Sequence, residues 1–163
     1  MFVPRLHPQR GVRAARHERF GLLRPAGRGT ARREGGELVG GRWQQNIYSY
    51  PPIGSPDGGA HCTADDLLRF LRGMRGGELL SPASTAAWFT PQVRHDDRVQ
   101  YGFGLEFGAA SFWKEGVNNG VSGFLVSYPQ AGVDAVVLST GEAGAWPVVR
   151  ALNAAFRDPH LDD

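Results

Sequence analysis

The spacing of apolar residues along this chain changes three times, and each change predicts a different element. From Thr63 the spacing is helical. Leu67, Phe70, Leu71 and Met74 fall at i, i+3, i+4 and i+7, with Arg69, Arg72 and Arg75 off that stripe. Thr63 ahead of Asp65-Asp66 is an N-cap followed by acids that suit the positive end of the helix dipole. Gly76-Gly77 ends the helix. Ser81-Pro82 opens a shorter helix from Ala83 to Phe89, closed by Pro91. From Val99 the period is two. Tyr101, Phe103, Leu105 and Phe107 share one face, which predicts a single half-buried strand over 99–107. Ser111-Phe112-Trp113 then leads into a strand carrying Lys114, followed by a glycine-rich turn. Phe124–Tyr128 and Asp134–Leu138 flank Pro129-Gln130-Ala131-Gly132 as a hairpin. Helical spacing returns from Ala145 to Phe156, with Val148, Val149, Leu152 and Phe156 on one side and Pro147 in the first turn. Two helices, four antiparallel strands and a closing helix predict an α+β fold, an antiparallel sheet with flanking helices.

Ahead of this body, residues 1–42 show neither period, and 43–60 read as a loop. Trp43, Tyr48 and Tyr50 are expected to pack that loop onto the body, ahead of the turn signals in Pro51-Pro52 and Pro56-Asp57-Gly58-Gly59. The chain thus divides into a poorly patterned segment (1–42), one domain (43–157) and a polar tail (158–163). Charge follows that division. Residues 1–42 hold ten Arg against three Glu, whereas 43–163 hold seven Arg and Lys114 against thirteen acids. A basic head invites a phosphate-neutralising role. It lacks basic–aromatic interleaving and any helix-turn-helix or zinc pattern, so nucleic acid is disfavoured as a partner. The single Cys62 allows no intrachain disulfide and reads as a small buried filler. No apolar run approaches the roughly 20 residues that span a bilayer. The first residues show no apolar leader core, so the chain as it stands reads as cytoplasmic, with its compartment otherwise open. No His/Cys/Asp/Glu spacing suggests a metal, no glycine-rich loop has a phosphate-binding context, and no cofactor is implied.

Lys114 is the only lysine among 18 basic residues. A lysine differs from arginine in being a compact ammonium whose pKa can be tuned. Taken alone it could equally be one solvated charge on a strand.

Several stretches in order carry a resemblance. Pro56-Asp57-Gly58-Gly59-Ala60-His61-Cys62-Thr63-Ala64-Asp65-Asp66-Leu67 resembles the Pro-x-Gly-Gly, Ser-Thr-x-x-Asp-Leu segment of the serine β-lactamase-like family, which takes in class C β-lactamases, DD-peptidases and related esterases. Leu79-Leu80-Ser81-Pro82 and Tyr101-Gly102-Phe103-Gly104-Leu105 resemble the family's next signatures, and Lys114-Glu115-Gly116 its third active-site motif, Lys/His-x-Gly. The match covers about residues 43–157. It implies a serine hydrolase that forms an acyl-enzyme on a lactam, peptide or ester. On that resemblance Lys114 binds the substrate carboxylate and biases the proton-transfer network, and the backbone N–H of Val117 is one oxyanion donor. Gly116 lets substrate approach the strand, and Asn118 and Asn119 join Lys114 in substrate binding. Glu115, on the opposite face from Lys114, is structural.

The family's nucleophile motif, a helical Ser-x-x-Lys, has no believable counterpart, nor has Tyr-x-Asn or Ser-x-Asn. The string Ser111-Phe112-Trp113-Lys114 has the spacing, but on a strand positions i and i+3 face opposite sides. The resemblance is therefore to the C-terminal portion of the fold, incomplete and inactive alone. A small-molecule or peptide substrate is expected once an upstream half completes it. The sheet is expected to have an unpaired edge through which the chain self-associates. The alternative is a non-catalytic binding or interaction domain with a basic N-terminal arm. A free-standing hydrolase would need Ser111 or another serine, with His61 or His95 as base.

Overall fold

A computed structural model describes residues 35–46, 55, 58 and 60–158. In chain order the elements are β1 (Gly36–Val39), β2 (Arg42–Gln45), α1 (Ala64–Arg75), α2 (Pro82–Trp88), β3 (Val93–Arg94), β4 (Gln100–Tyr101), β5 (Glu106–Phe107), β6 (Phe112–Asn118), β7 (Val121–Tyr128), β8 (Val133–Ser139) and α3 (Trp146–Phe156). Strands β3 to β8 form one antiparallel sheet in sequence order, and β1–β2 form a separate hairpin. The architecture is α+β.

The helix boundaries follow from their caps. Thr63 Oγ1 accepts the Asp66 N–H at 3.2 Å and donates to Asp66 Oδ2 at 3.0 Å, so the first turn of α1 closes on itself. Its C-terminus runs into Gly77 at φ 71°, a left-handed turn that suits glycine. Ser81 Oγ accepts the Ser84 N–H at 3.2 Å, and Pro82 occupies the first helical position of α2.

Successive strand residues face opposite sides, which builds two cores. Trp113, Phe124, Val126 and Tyr128 project from one face and bury Val149 of α3 among them. Phe112 and the half-buried Leu125, one residue along, project from the other face and meet Leu71 of α1 together with Leu105. Arg75 Nη1 ties α1 to β8 by donating to Asp134 Oδ1 at 2.7 Å, and Arg72 approaches the other carboxylate oxygen at 3.8 Å.

Four expectations are corrected. The single strand over 99–107 is a hairpin instead: Gln100 pairs with Phe107 and Tyr101 with Glu106. Gly104 adopts φ 83°, and the Gly102 N–H donates to the Leu105 carbonyl at 2.8 Å, so the two glycines fold the alternating run back on itself. Only Leu105 of the predicted face is fully buried, and Phe103 is exposed. The glycine-rich turn after Lys114 shrinks to Asn119-Gly120, with Gly116 and Gly123 as a cross-strand pair inside the ladder. Val148 is exposed; α3 buries Val149 and Asn153 instead. Finally, the loop expected from residue 43 begins instead as strand β2, paired with β1 in a hairpin. Leu38 pairs with Trp43 across Gly40-Gly41, and Trp43 is 76% exposed rather than packed. Tyr48, Tyr50 and residues 1–34 lie outside the described residues.

Candidate functional site

Strand β6 carries the residues of interest, and its neighbours decide which of its groups are open. The Gly108 N–H donates to the Ser111 carbonyl at 2.9 Å, which aims the backbone groups of Ser111 at β5. Alternation then aims those of Trp113, Glu115 and Val117 the same way, and those of Phe112, Lys114, Gly116 and Asn118 at β7. β7 pairs with the whole of β6, from Phe112 to Asn118. β5 pairs only with Phe112 and Trp113. Beyond Trp113, no described strand pairs with the β5 side of β6. The backbone N–H and C=O groups of Glu115 and Val117 therefore face an open edge.

The side chains complete the picture. Lys114, Gly116 and Asn118 share the α1 face of the sheet, and all three are exposed. Lys114 makes no ion pair or hydrogen bond among the described residues. Next to it the Gly116–Gly123 pair leaves the sheet surface bare, and a Cβ on Gly116 would meet nothing within 4 Å. Leu138 bounds the trough on the far side, since a Cβ on Gly123 would stand 3.3 Å from its Cδ2. The site is thus a shallow trough with a cation at one end and an unpaired strand edge along one side. Glu115 projects to the α3 face, as expected of a residue next to Lys114, and the Val117 side chain is 50% exposed there.

The far end of the trough is held by the β1–β2 hairpin. Asn46 Nδ2 donates to the Asn119 carbonyl at 2.6 Å, and Asn119 Nδ2 donates to Glu37 Oε2 at 2.9 Å. Gly120, at φ 69°, packs so closely that a Cβ there would lie 2.5 Å from the Gly36 carbonyl oxygen. Of the two asparagines expected to bind substrate, Asn119 is therefore taken up by the hairpin and Asn118 is left on the open face. Glu37 and Asn46 were invisible to the periodicity argument. The signal that could have found them is Gly40-Gly41 between Leu38-Val39 and Arg42-Trp43, a two-glycine hairpin turn.

Other candidates stand apart from this site. Ser111 is buried while Lys114 is exposed, so the Ser-x-x-Lys string brings no hydroxyl to that ammonium. Burial and the nearby Asp66 push the Cys62 thiol up to about 11, which keeps it protonated and unreactive. His95 is exposed in the β3–β4 turn. An open cavity of about 490 Å³ lies at the opposite end of β6, lined by Arg75, Phe89, Phe107 and Phe112. The candidate site encloses no such volume because it is an edge rather than a hollow. Among the described residues no three His, Cys, Asp or Glu could hold a metal ion, and no helix is long and apolar enough to cross a membrane.

Comparison with known proteins points the same way. The chain is similar to a solved structure of penicillin binding protein from Bacillus halodurans, with a TM-score of 0.83 and 27% identity. The match covers 91% of this chain and 47% of that one, so this chain spans about half the length of its structural neighbour. No family model and no curated protein matches. Over the matched region the chain has the α+β fold of a penicillin-recognising serine hydrolase.

Proposed function

We propose that this chain supplies the substrate-facing strand of a β-lactamase-related serine hydrolase that performs acyl transfer on a lactam, peptide or ester. The observation that carries this reading is the open β6 edge at Glu115–Val117, beside Lys114 and Gly116, in a fold shared with a penicillin binding protein. In such chemistry a serine Oγ attacks a carbonyl carbon, and its oxygen becomes an oxyanion. Donors aimed at that oxygen beforehand lower the barrier without reorganising. The Val117 N–H is one such donor, because it points out of the sheet with no strand to receive it. Lys114, one trough-width away, takes the carboxylate common to penicillin-like substrates and leaves the carbonyl over the edge. Gly116 and Gly123 keep the floor clear of side chains that would lift the substrate away.

On this reading the chain is the C-terminal part of such a hydrolase, and the nucleophile comes from a segment that this sequence does not contain. Alone it positions substrate without forming an acyl-enzyme. Intact mass spectrometry of the purified chain, after incubation with a penicillin and separately with a fluorophosphonate, tests this directly. The expected spectrum shows the unmodified mass in both cases. A stoichiometric adduct abolished by one Ser→Ala change would overturn the reading and identify a nucleophile within the chain.

A further inference from the structure

Two of the hairpins close through two-residue loops, and the loops differ in form. Gly40-Gly41 joins β1 to β2 with both residues at positive φ, 56° and 79°. That is the primed loop, whose twist matches antiparallel strands. Asn119-Gly120 joins β6 to β7, directly after the Asn118–Val121 pair. Asn-Gly is a dipeptide that strongly favours the same primed form, with positive φ at both positions. Here only Gly120 complies, at φ 69°. Among the described residues Arg157 is the one non-glycine at positive φ, so Asn119 stays at negative φ. Unprimed loops splay the strands that they join, and this one departs from the preference of its own sequence. The β1–β2 hairpin supplies what overrides that preference. Asn46, buried at 3% exposure, donates from Nδ2 to the Asn119 carbonyl at 2.6 Å. Its own N–H donates to the Gly35 carbonyl at 3.2 Å, which ties it to the start of the hairpin. Glu37 Oε2 accepts the Asn119 Nδ2 at 2.9 Å, so Asn119 is held by its carbonyl and its side chain at once. A Cβ on Gly35 would run into the Gly120 carbonyl oxygen, so the two backbones touch. All of these contacts close within the chain and need no upstream segment to make them.

We propose that Glu37 and Asn46 are positioning residues: they clamp the β6–β7 loop in its unprimed form and so aim the end of β6 at substrate. This rests on the reading of the Val117 N–H as an oxyanion donor. Val117–Ser122 and Asn118–Val121 are the last two rungs of the ladder before the loop. The twist of those rungs follows the loop, and the direction of the Val117 N–H follows the twist. A donor works in acyl transfer only if it is aimed beforehand at the place where charge develops. Left to its sequence, the loop would go over to the primed form and turn that N–H with it. The hairpin thus acts on the site without touching substrate. Glu37 and Asn46 reach Asn119, and Asn119 stands two residues from Val117.

Nuclear magnetic resonance of the full chain, free and with a penicillin added, tests the clamp. In the free parent the amide-to-Hα coupling and carbon shifts of Asn119 should report a negative φ. Asn46→Asp keeps the shape of the side chain and removes its donor. It should carry Asn119 to positive φ, move the Val117 and Asn118 amide shifts, and weaken penicillin binding about fivefold, the worth of one hydrogen bond. Glu37→Ala should act in the same direction to a smaller extent, and Glu37→Gln, which keeps an acceptor, should restore the parent's values. A pair that only stabilised the fold would lower the unfolding midpoint and leave the Asn119 torsion where it is. If Asn46→Asp does not fold, the two Glu37 variants decide the matter. Asn119 at negative φ in every folded variant would overturn the proposal. So would a turn that changes form while the Val117 shift and the penicillin affinity stay at parental values. A parent whose amides no penicillin moves would instead sink the role given to β6, and the Asn119 torsion in the free variants would still decide the clamp.

Discussion

The two faces of the sheet are built from the same strands and end differently. On the α3 face the core runs without a break from Trp113 through Phe124 and Val126 to Tyr128, and α3 covers it with Val149, Leu152 and Phe156. Even its polar groups are closed off. The Tyr128 hydroxyl donates to Asn153 Oδ1, and the buried Asp158 accepts the Ala110 N–H at 3.1 Å. On the α1 face the core is three buried residues, Leu71, Leu105 and Phe112, and it stops at the first turn of β6. Beyond that point the same face presents Lys114, two glycines and Asn118 to water. The trough exists because the apolar pattern gives out on one face only. A face that carries stability is continuous, and a face that meets a ligand is interrupted.

The largest expected effect falls on the continuous face. Phe124→Ala should cost about 3–5 kcal/mol, because the ring is fully enclosed by Trp113, Trp146 and the α3 side chains and leaves a cavity behind. Leu125→Ala, one residue along and half-buried on the other face, should cost roughly 1–2 kcal/mol. Urea unfolding of the two variants measures both. Equal losses would mean that the α1 face carries as much of the stability as its partner. The same face should also respond to alkali. Burial, and then the nearby Asp158, push the Tyr128 hydroxyl from 10.0 up to about 12. The folded state thus holds this proton more tightly than the unfolded chain does. Its contribution is complete below pH 10 and is lost as the pH climbs toward 12. A melting temperature that falls over that window, with a shallower fall in Tyr128→Phe, is the expected result. Identical slopes in the two proteins would remove Tyr128 from the account.

What could be read in the sequence follows the same division. Local rules sufficed wherever a cap or a period was self-contained. Thr63 and Ser81 cap the helices that they announce, Gly132 turns β7 into β8, and Lys114 lies on a strand flanked by a turn. Most of the misreadings came where glycine allowed two outcomes. Gly102 and Gly104 sit at polar positions of an alternating run, so a hairpin and a long strand leave the same pattern. Gly116 and Gly123 look like turn residues in sequence, yet they pair across the ladder because the register is set by the apolar residues on either side of them. The openness of the β6 edge at Val117 was not legible from its own residues. It depends on where β5 stops, and that in turn depends on the folded-back glycine hairpin before it. The hold of Asn119 by Glu37 spans 82 positions in sequence and left no local trace.

The smallest expected effect on stability belongs to the interrupted face. Lys114→Ala removes an exposed side chain with no described partner, so unfolding free energy should change by no more than about 0.5 kcal/mol. Its effect on binding should be visible nonetheless. A penicillin titrated into the chain and followed by amide chemical shifts should perturb Gly116, Val117, Asn118 and Gly123, the floor and edge of the trough. A single ammonium on an open surface contributes about 1 kcal/mol at most, so the variant should bind roughly fivefold more weakly. That loss should shrink as salt is raised, because an exposed charge pair is screened. Shifts centred on the cavity at Phe112 would move the site to the other end of β6. A variant that binds as well as the parent at low salt would leave Lys114 as a solvated charge. If Lys114→Ala loses both binding and stability, the contrast between the two faces fails, because a residue of the interrupted face would then be holding the fold together.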